Sequence, residues 1–332
     1  MLRVGIAGAG FMGTTHAASW AKTPATIAGF YALDSARASA LAAEYGAKVY
    51  DTFDALIADV DVVDICTPTH VHYQMVMRAA QAGKQILCEK PLARTLAQAQ
   101  EMVRTCAERG LPLLVGHVVR FFPEYALAKA TVERGDVGDV AVVRLSRCSY
   151  QPRGTDDWFL DTEKSGGVML DLMIHDFDYA RWVAGDVESV YTRSVGSRRP
   201  ISGGDYAIAI LKHKNGAISN VEGGWAYPPP MFRTALEIAG SGGLIEHPVG
   251  SSTPLALYLK QQESGEVPAV ALPRSPLAED PYATEIKHFY DVLTTGVPPR
   301  VTAQDGLHAL QIALAAIESA RTGQQITLEA LK

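Results

Sequence analysis

Two residues of this chain, Lys90 and His175, have the types and the neighbours that acid–base chemistry requires. Lys90 lies in the run Glu89-Lys90-Pro91, directly after the apolar run Gln85–Cys88, which predicts a buried strand. A lysine at the carboxyl end of a parallel strand points into the crevice where ligands bind. There it can stabilise negative charge that develops on a substrate oxygen. The alternative is a surface lysine paired with a carboxylate.

His175 follows Asp171 by four residues in a glycine-led run that predicts one helix over Gly167–Ala184. On a continuous helix, residues with this spacing share a face. The carboxylate can then fix the imidazole tautomer and raise the imidazole pKa, which suits a general base near neutral pH. The alternative is an Asp–His pair on a solvated helix face. The next residue, Asp176, is expected to face in another direction.

A glycine-rich turn near the start of the chain predicts a site for a dinucleotide. Gly8, Gly10 and Gly13 stand between the strand-like run Arg3–Ala7 and a helix-like run. Gly8 permits the tight turn, Gly10 lets phosphates approach the backbone, and Gly13 lets the helix pack closely on the strand. Free backbone N–H groups and the positive end of the helix then favour a pyrophosphate at this point. His16, in the same helix, is interpreted as a packing or surface residue.

An acidic residue at the end of the next strand-like run, Ile27–Leu33, predicts the choice of dinucleotide. Asp34 can hold the ribose hydroxyls of NAD, and its charge would repel a 2′-phosphate, so NAD is expected rather than NADP. Arg37 keeps NADP open, because a nearby arginine can accommodate that phosphate. Asp34 is also expected to cap a helix that begins near Ser35.

A third polar segment, Thr67-Pro68-Thr69-His70, follows the strand-like run Val60–Cys66. Ligands bind at the carboxyl ends of the strands in an open α/β sheet, so Thr67 and Pro68 are expected to face the cofactor. The alternative is a plain turn in which Thr69 caps a helix from His70 onward. The predicted cofactor-binding residues are Gly8, Gly10, Phe11, Met12, Gly13, Asp34, Arg37, Thr67, Pro68, His70, Glu89 and Lys90.

Strand-like and helix-like runs alternate through the first 120 residues, which predicts an α/β domain with a doubly wound parallel sheet. Beyond residue 120 the chain becomes rich in strands that alternate in polarity, as in Asp205–Lys212, and this indicates an α+β domain with a mostly antiparallel sheet. Two helices, near Ala283–Thr295 and Ala303–Thr322, close the chain. The predicted domains are residues 1–120 and 121–332.

Composition excludes several other classes of protein. The 332 residues are 48% hydrophobic and 20% charged, as expected for a soluble chain of two domains. A net charge of −6, without a basic run, argues against nucleic acid and anionic membranes as partners. None of the 4 cysteines forms a Cys-x-x-Cys pair and no histidine cluster has zinc spacing, so no metal is predicted. Reduced thiols and a cytoplasmic location are expected.

Taken together, the motif Gly8-Ala9-Gly10-Phe11-Met12-Gly13, then Glu89-Lys90-Pro91, then Asp171-Leu172-Met173-Ile174-His175-Asp176 closely resemble the glucose–fructose oxidoreductase, inositol dehydrogenase and MocA family. The resemblance covers nearly the whole chain, and the last run looks most like inositol and related sugar dehydrogenases. It implies a Rossmann domain of residues 1–120 that binds NAD or NADP. Residues 121–332 would form a substrate-binding and oligomerisation domain, whose open sheet often builds dimers or tetramers.

The resemblance also implies a reaction, the oxidation of a secondary alcohol of a sugar or polyol. Lys90 matches the family lysine, Asp171 the carboxylate and His175 the acid/base group. His117 follows a strand end, and Trp158 precedes the helix of His175 and is suited to stacking on a sugar. The predicted substrate-binding residues are Lys90, His117, Arg120, Tyr150, Trp158, Asp171 and His175.

Three other activities are compatible with the same fold. An NAD-dependent glycosidase would oxidise its substrate transiently and release a sugar without net NADH. A biosynthetic reductase of a keto-sugar would use the same residues in the opposite direction. A non-catalytic regulator that senses the nucleotide would be expected to lack Lys90 or His175, and both are present.

Overall fold

Strands and helices alternate in the first part of the chain, as the sequence predicts. A computed structural model describes residues 1–196, 205–247 and 280–330. The elements up to residue 116 are β1 (Arg3–Ala7), α1 (Phe11–Trp20), β2 (Thr26–Tyr31), α2 (Ser35–Tyr45), β3 (Lys48–Val49), α3 (Phe53–Ala58), β4 (Val62–Ile65), α4 (Thr69–Gln81), β5 (Gln85–Glu89), α5 (Leu96–Glu108) and β6 (Leu113–Gly116).

These six strands form one parallel sheet in the order β3-β2-β1-β4-β5-β6. The strands are apolar because helices cover both faces, and Val4, Ile6 and Val62 have no exposed surface. The order places the carboxyl ends of β1, β4 and β5 side by side at one edge. The predicted doubly wound α/β fold is confirmed.

The rest of the chain supplies a second group of elements. In chain order they are α6 (Pro123–Glu133), β7 (Val140–Ser149), α7 (Thr162–Ser165), α8 (Gly167–Asp171), α9 (Ile174–Ala184), β8 (Val187–Val195), β9 (Tyr206–His213), β10 (Ile218–Gly224), β11 (Phe232–Gly240), β12 (Leu244–His247), α10 (Pro281–Thr295), α11 (Ala303–Thr322) and β13 (Ile326–Thr327). Short 3-10 helices lie at Val118–Phe121, Thr155–Asp157 and Leu328–Ala330. The strand predicted at Leu255–Gln261 and the loop predicted at Pro248–Pro254 lie outside the described residues.

The second sheet has the order β12-β11-β7-β10-β9-β8-β13. Its strand pairs are antiparallel except for β7 with β10. Along β9, Ala207, Ala209 and Leu211 are buried while Ile208 and Ile210 are exposed. This alternation is the one expected of a sheet with one covered face, and the predicted mostly antiparallel sheet is confirmed.

The chain folds as two compact units. The first consists of Met1–Phe122 with Ala278–Leu307, and the second of Pro123–Leu277 with His308–Lys332. Helix α10 joins the first unit because its buried residues, among them Ile286 and Phe289, pack beside α1. The sequence predicted a single domain boundary after residue 120. It contained no indication that the chain returns to the first unit near residue 278.

Two small elements, β3 and α3, lie where the sequence predicted none. Strand β3 has two residues and both are exposed, so it carries no apolar pattern. Helix α3 has 6 residues, too few for a helical period. Among the residues that the structure describes, none of the helices combines the length and the apolarity needed to cross a membrane.

Candidate active site

The turn after β1 requires glycine at two positions and opens outward at a third. Gly8 has a φ of +111°, and a Cβ there would lie 2.5 Å from the carbonyl oxygen of Cys66. At Gly13 a Cβ would collide with the carbonyl oxygen of Gly8. At Gly10 a Cβ would have no protein atom within 4 Å. The amino end of α1, whose N-cap is Gly10, therefore faces open space.

A cavity of about 300 Å³ adjoins this turn and is lined by Ala9, Gly10, Phe11, Thr14, Arg37, Ala40 and Leu41. At its margin Asp34 caps α2 by accepting a hydrogen bond of 3.1 Å from the Arg37 backbone N–H. The Arg37 Nε also lies 3.2 Å from Asp34 Oδ2. Backbone N–H groups, a helix amino end and a carboxylate suit the pyrophosphate and ribose of a dinucleotide, so these residues fit NAD. Strand β2 ends at Tyr31, earlier than predicted, and Leu33 lies beyond it with 96% of its surface exposed.

The segment after β4 is held by a histidine that the sequence did not single out. His72 is buried, with Nδ1 2.8 Å from the Pro91 carbonyl oxygen and Nε2 2.7 Å from the Thr67 carbonyl oxygen. It thereby joins the loops that follow β4 and β5. His70, predicted to bind the cofactor, is exposed. The signal available was helical spacing, because His72 shares the buried face of α4 with Met75.

The alternative interpretation of Thr69 as a helix cap is wrong. Helix α4 begins at Thr69 itself, and its N-cap is Pro68, which makes no side-chain capping bond. Proline has no backbone N–H, so it fits a position before the first helical turn. Thr67 is half-buried, and its hydroxyl lies 3.4 Å from the Met75 sulfur.

Lys90 directly follows β5, and its backbone is fixed by the residue before it. Glu89 is buried, and its Oε2 accepts a hydrogen bond of 3.1 Å from the Lys90 backbone N–H. Its Oε1 lies 3.1 Å from His16 Nε2. Gly116 on β6 leaves room for this carboxylate, since a Cβ there would lie 2.8 Å from Oε1. Glu89 therefore contacts protein groups through both of its oxygens.

His16 is the centre of a buried polar cluster in the first unit. Its Nδ1 lies 2.9 Å from Asp64 Oδ2, which also accepts a hydrogen bond of 2.8 Å from Trp20 Nε1. Cys66 Sγ lies 3.3 Å from the same imidazole nitrogen. Burial raises the pKa of the Cys66 thiol, and the Asp64 charge raises it further, which disfavours a thiolate metal ligand. These groups bond to one another, so their proximity alone does not make a metal site.

Two residues predicted to bind substrate, His117 and Arg120, are buried in the first unit. The Arg120 Nη1 donates to the Arg300 carbonyl oxygen at 2.9 Å and lies 3.3 Å from Asp305 Oδ2. Thr302 donates to the same carboxylate oxygen through its backbone N–H and its hydroxyl. Arg120 thereby anchors the start of α11. A role in substrate binding for these two residues stays a prediction.

The predicted continuous helix over Gly167–Ala184 is wrong, because a break at residues 172 and 173 divides it into α8 and α9. Asp171 ends α8 and is buried, and His175 is the second residue of α9 and is half-exposed. The Met173 backbone N–H bonds to the Val168 carbonyl oxygen, five residues back, so the regular ladder is interrupted here. Helical spacing alone therefore does not place Asp171 and His175 on one face.

Two residues of the second sheet anchor this helix pair. Arg147 on β7 and Gly223 on β10 are partners in the sheet. Arg147 Nε and Nη2 bond to the Asp176 carboxylate at 2.7 and 3.0 Å, and both side chains are buried. Met173 packs over Gly223, where a Cβ would collide with it. The break between α8 and α9 therefore packs directly on the sheet, and Asp176, which Arg147 holds, is the residue that follows His175.

The remaining predicted substrate residues, Tyr150 and Trp158, flank an irregular segment of the second unit. Tyr150 is buried and forms an isolated bridge with Ala226. Trp158 stacks on Phe159 with ring centroids 4.0 Å apart. Asp156 and Asp157, immediately before it, have φ values of 56° and 47°. Such left-handed backbone is uncommon for residues other than glycine and recurs at functional sites.

Comparison with known proteins identifies both parts of the chain. Residues 2–117 match the GFO/IDH/MocA model described as an oxidoreductase family with an NAD-binding Rossmann fold. Residues 125–246 match the GFO/IDH/MocA C-terminal domain. A myo-inositol 2-dehydrogenase of Thermotoga maritima is 30% identical over 99% of this chain and 99% of its own length.

Other relatives have a similar likeness and different names. A D-apiose dehydrogenase of Rhizobium rhizogenes is 28% identical over 99% of this chain and 98% of its own length. The crystal structure of a probable dehydrogenase from Thermotoga maritima has a TM-score of 0.86 at 29% identity, over 100% of both chains. The family match identifies NAD as the cofactor, and the glycine turn and the strand order fit a bound dinucleotide. This chain belongs to the GFO/IDH/MocA family of NAD-binding oxidoreductases.

Proposed function

We propose that this protein is an NAD-dependent dehydrogenase that oxidises a secondary alcohol of a sugar or polyol, with Lys90, Asp171 and His175 as its catalytic residues. The observation that carries the proposal is the edge shared by β1, β4 and β5. The open glycine turn follows β1, Thr67 and Pro68 follow β4, and Lys90 follows β5. Ligands of doubly wound sheets bind at this edge, so Lys90 has the position of a residue that meets both cofactor and substrate.

The catalytic roles follow from the chemistry of the side chains. His175 takes the proton of the substrate hydroxyl as general base. The Lys90 ammonium stabilises the alkoxide that forms. Asp171 orients the imidazole of His175 and balances its positive charge once it is protonated. NAD, when bound, would accept the hydrogen of the substrate carbon together with the two electrons of its C–H bond.

The preference for NAD over NADP is assigned to Asp34. Its carboxylate would accept hydrogen bonds from ribose hydroxyls and would repel a phosphate on the same ribose. Arg37 lines the cavity and could bind a 2′-phosphate, but its guanidinium is paired with Asp34 at 3.2 Å. This ion pair supports the assignment because it competes with a phosphate for Arg37.

We also infer that the protein assembles as a homo-oligomer through the outer face of the second sheet. Tyr191, Ile208, Ile210 and Ile218 lie on neighbouring strands and are 36–47% exposed. Ile210 is paired in the sheet with Tyr191 and with Asn220. Several large apolar side chains exposed on one face of a sheet, with polar residues between them, are typical of an interaction surface. Sedimentation of the native protein and of Ile210→Lys tests the inference, and an unchanged assembly in the variant argues against it.

The test of the proposed activity is NADH or NADPH formation on a panel of inositols, aldoses and sugar acids. Each compound is offered with NAD and with NADP, using purified protein. Lys90→Ala should lower turnover at least a hundredfold and leave NADH affinity within about threefold. Lys48→Ala is the matched control, because Lys48 forms an exposed ion pair with Asp59. Turnover that persists in Lys90→Ala would refute the role of this lysine.

If none of these compounds is oxidised although the protein binds NADH, a different activity is indicated. It would point to the glycosidase, which forms no net NADH, or to a reductase that works in the opposite direction. Cleavage of aryl glycosides in the presence of NAD identifies the first. Oxidation of NADH by keto-sugars identifies the second.

A further inference from the structure

The buried cluster around His16 includes Glu89, the residue that precedes Lys90. It contains three carboxylates and one imidazole, from Asp64, Glu89, Glu285 and His16, and all four side chains are buried. His16 comes from α1, Asp64 from β4, Glu89 from β5 and Glu285 from α10. Among the described residues, the thiols of Cys66 and Cys88 also interact with these groups, and the buried imidazole of His72 interacts with both Glu89 and Lys90. A buried charge needs a partner of opposite sign, so each charged group in this cluster must be paired with another member or become neutral.

His16 lies between two carboxylates. Asp64 Oδ2 is 2.9 Å from its Nδ1, and Glu89 Oε1 is 3.1 Å from its Nε2. The Nδ1 atom is hydrogen-bonded to Asp64, whereas Nε2 only faces the Glu89 carboxylate at ion-pair distance, and a ring flanked by two carboxylates favours the protonated form. Burial lowers the pKa of His16, but Asp64 and Cys66 together outweigh burial through their charges and hydrogen bonds, so the pKa is raised well above its usual value.

Glu285 takes the opposite form. Neither of its carboxylate oxygens has a hydrogen-bond partner among the described residues. Burial raises the pKa of Glu285 well above its usual value, and the neighbouring Glu89 charge raises it further. Burial without hydrogen bonds favours the neutral acid form of Glu285, and the flanking carboxylates favour the cationic form of His16.

Glu89 connects His16 to Lys90. One carboxylate oxygen meets His16, and the other accepts from the backbone N–H of Lys90. Gly116 on β6 packs closely against the Glu89 carboxylate and limits its movement on that side. We propose that His16 is a positioning residue, which acts through Glu89 to fix Lys90 at the sheet edge and to set the charge that its ammonium group experiences. The catalytic importance of Lys90 rests on the proposed function. The effect of His16 and Glu89 on Lys90 does not depend on that function.

The proposal predicts opposite effects for two neutral variants. In His16→Gln the Glu89 charge loses its cation, so the ammonium of Lys90 is stabilised and its titration midpoint rises. In Glu89→Gln that negative charge is absent, so the midpoint falls. The two midpoints are expected to move apart in these directions, because charges interact more strongly across poorly solvated protein than in water. Damage to the fold alone would not produce shifts of opposite sign.

The experiment is an NMR titration of protein whose lysines carry ¹³C-methyl groups, with the Lys90 signal identified by its loss in Lys90→Arg. It requires neither substrate nor turnover. Glu285→Gln is the control within the cluster, because replacing a neutral acid should leave the midpoint unchanged. His213→Gln is the control for lost packing, because His213 is a buried histidine of the second unit bonded to Gly185 and Ser219.

Midpoints of His16→Gln and Glu89→Gln that both match the wild type would overturn the proposal, as would shifts in the same direction. A shift in Glu285→Gln as large as that in Glu89→Gln would overturn the assigned charges. Activity measurements separate this inference from the proposed function. Full turnover in Lys90→Ala refutes the catalytic lysine whatever the titration gives, whereas an inactive Lys90→Ala with unshifted midpoints refutes only the role of His16.

Discussion

Arg147 donates two hydrogen bonds to the carboxylate of Asp176, the residue that follows His175. The pair is buried, with 3% and 0% of the two side chains exposed. It connects the second sheet to the first turn of α9, at the point where the helix pair is interrupted. The position of His175 therefore depends on an ion pair in which it takes no part.

Loss of one partner of this pair should destabilise the protein strongly. Asp176→Asn leaves the Arg147 charge buried and uncompensated, and about 3–5 kcal/mol of the free energy of unfolding should be lost. Urea denaturation measures it. Asp186→Asn is the matched control, since its partner Arg181 lies in an exposed pair that is worth about 1 kcal/mol or less. Equal losses in the two variants would contradict the anchoring role of Asp176.

The fold was predictable from the sequence where apolar runs are long. The run that predicted β1 has the observed bounds, and β9 shows the predicted alternation. Strand β3 was missed because it has two exposed residues and is defined only by pairing with β2. The place of α10 in the first unit was missed because it depends on a contact with α1, more than 250 residues away in the chain.

The candidate site was predictable where a motif has a local geometric meaning. The glycine turn and the Asp34 cap follow from backbone requirements within a few residues. The break after Asp171 was not predictable, because it arises where Met173 packs over Gly223 on a strand some 50 residues later. His16 and His72 are single histidines in helices, and only the meeting of β4, β5 and their flanking helices shows what they contact.

A second prediction concerns stability at acid pH. Burial favours a higher pKa for Asp305, but Arg120 and the Thr302 hydrogen bonds outweigh it and lower the pKa to about 2. The folded pKa thus lies below the usual value of 3.8, so the stabilisation is complete above pH 4 and is lost as the pH falls toward 2. At pH 7 the charge of Asp305 should contribute about 2 kcal/mol.

Asp305→Asn tests this by urea denaturation between pH 7 and pH 3. The variant should be less stable than the wild type at pH 7, and the difference should narrow as the pH approaches 3. Asp136→Asn, in an exposed pair with Arg134, should differ little from the wild type throughout. A deficit in Asp305→Asn that stays constant from pH 7 to pH 3 would mean that the carboxylate charge does not carry the stabilisation.

A third prediction separates cofactor binding from folding within the glycine turn. Gly10→Ala introduces a methyl group into open space, so the free energy of unfolding should change by about 1 kcal/mol or less. The same methyl group stands where phosphates approach the backbone, so the Kd for NADH should rise at least tenfold. Gly13→Ala should instead destabilise the fold, because its Cβ meets the Gly8 carbonyl. Unchanged NADH affinity in Gly10→Ala would place the pyrophosphate elsewhere.

The last prediction concerns the choice between NAD and NADP. Asp34→Ser keeps a capping oxygen for α2 and removes the charge that repels a 2′-phosphate. It also releases Arg37 from its ion pair, and a freed guanidinium beside the cavity can bind that phosphate. The Kd for NADH should therefore rise and the Kd for NADPH should fall, each by about tenfold, which corresponds to roughly 1.4 kcal/mol.

The double variant Asp34→Ser/Arg37→Ala shows whether Arg37 causes the tighter binding of NADPH. If Arg37 binds the phosphate, the double variant should lose the improved affinity for NADPH and retain the weakened affinity for NADH. Arg37→Ala alone should keep the preference for NAD, because the Asp34 carboxylate and its bond to the backbone N–H of residue 37 remain. Fluorescence titration of both reduced cofactors measures all three variants. An Asp34→Ser protein with wild-type affinity for NADH and NADPH would remove Asp34 from the cofactor site and leave it only its role as a helix cap.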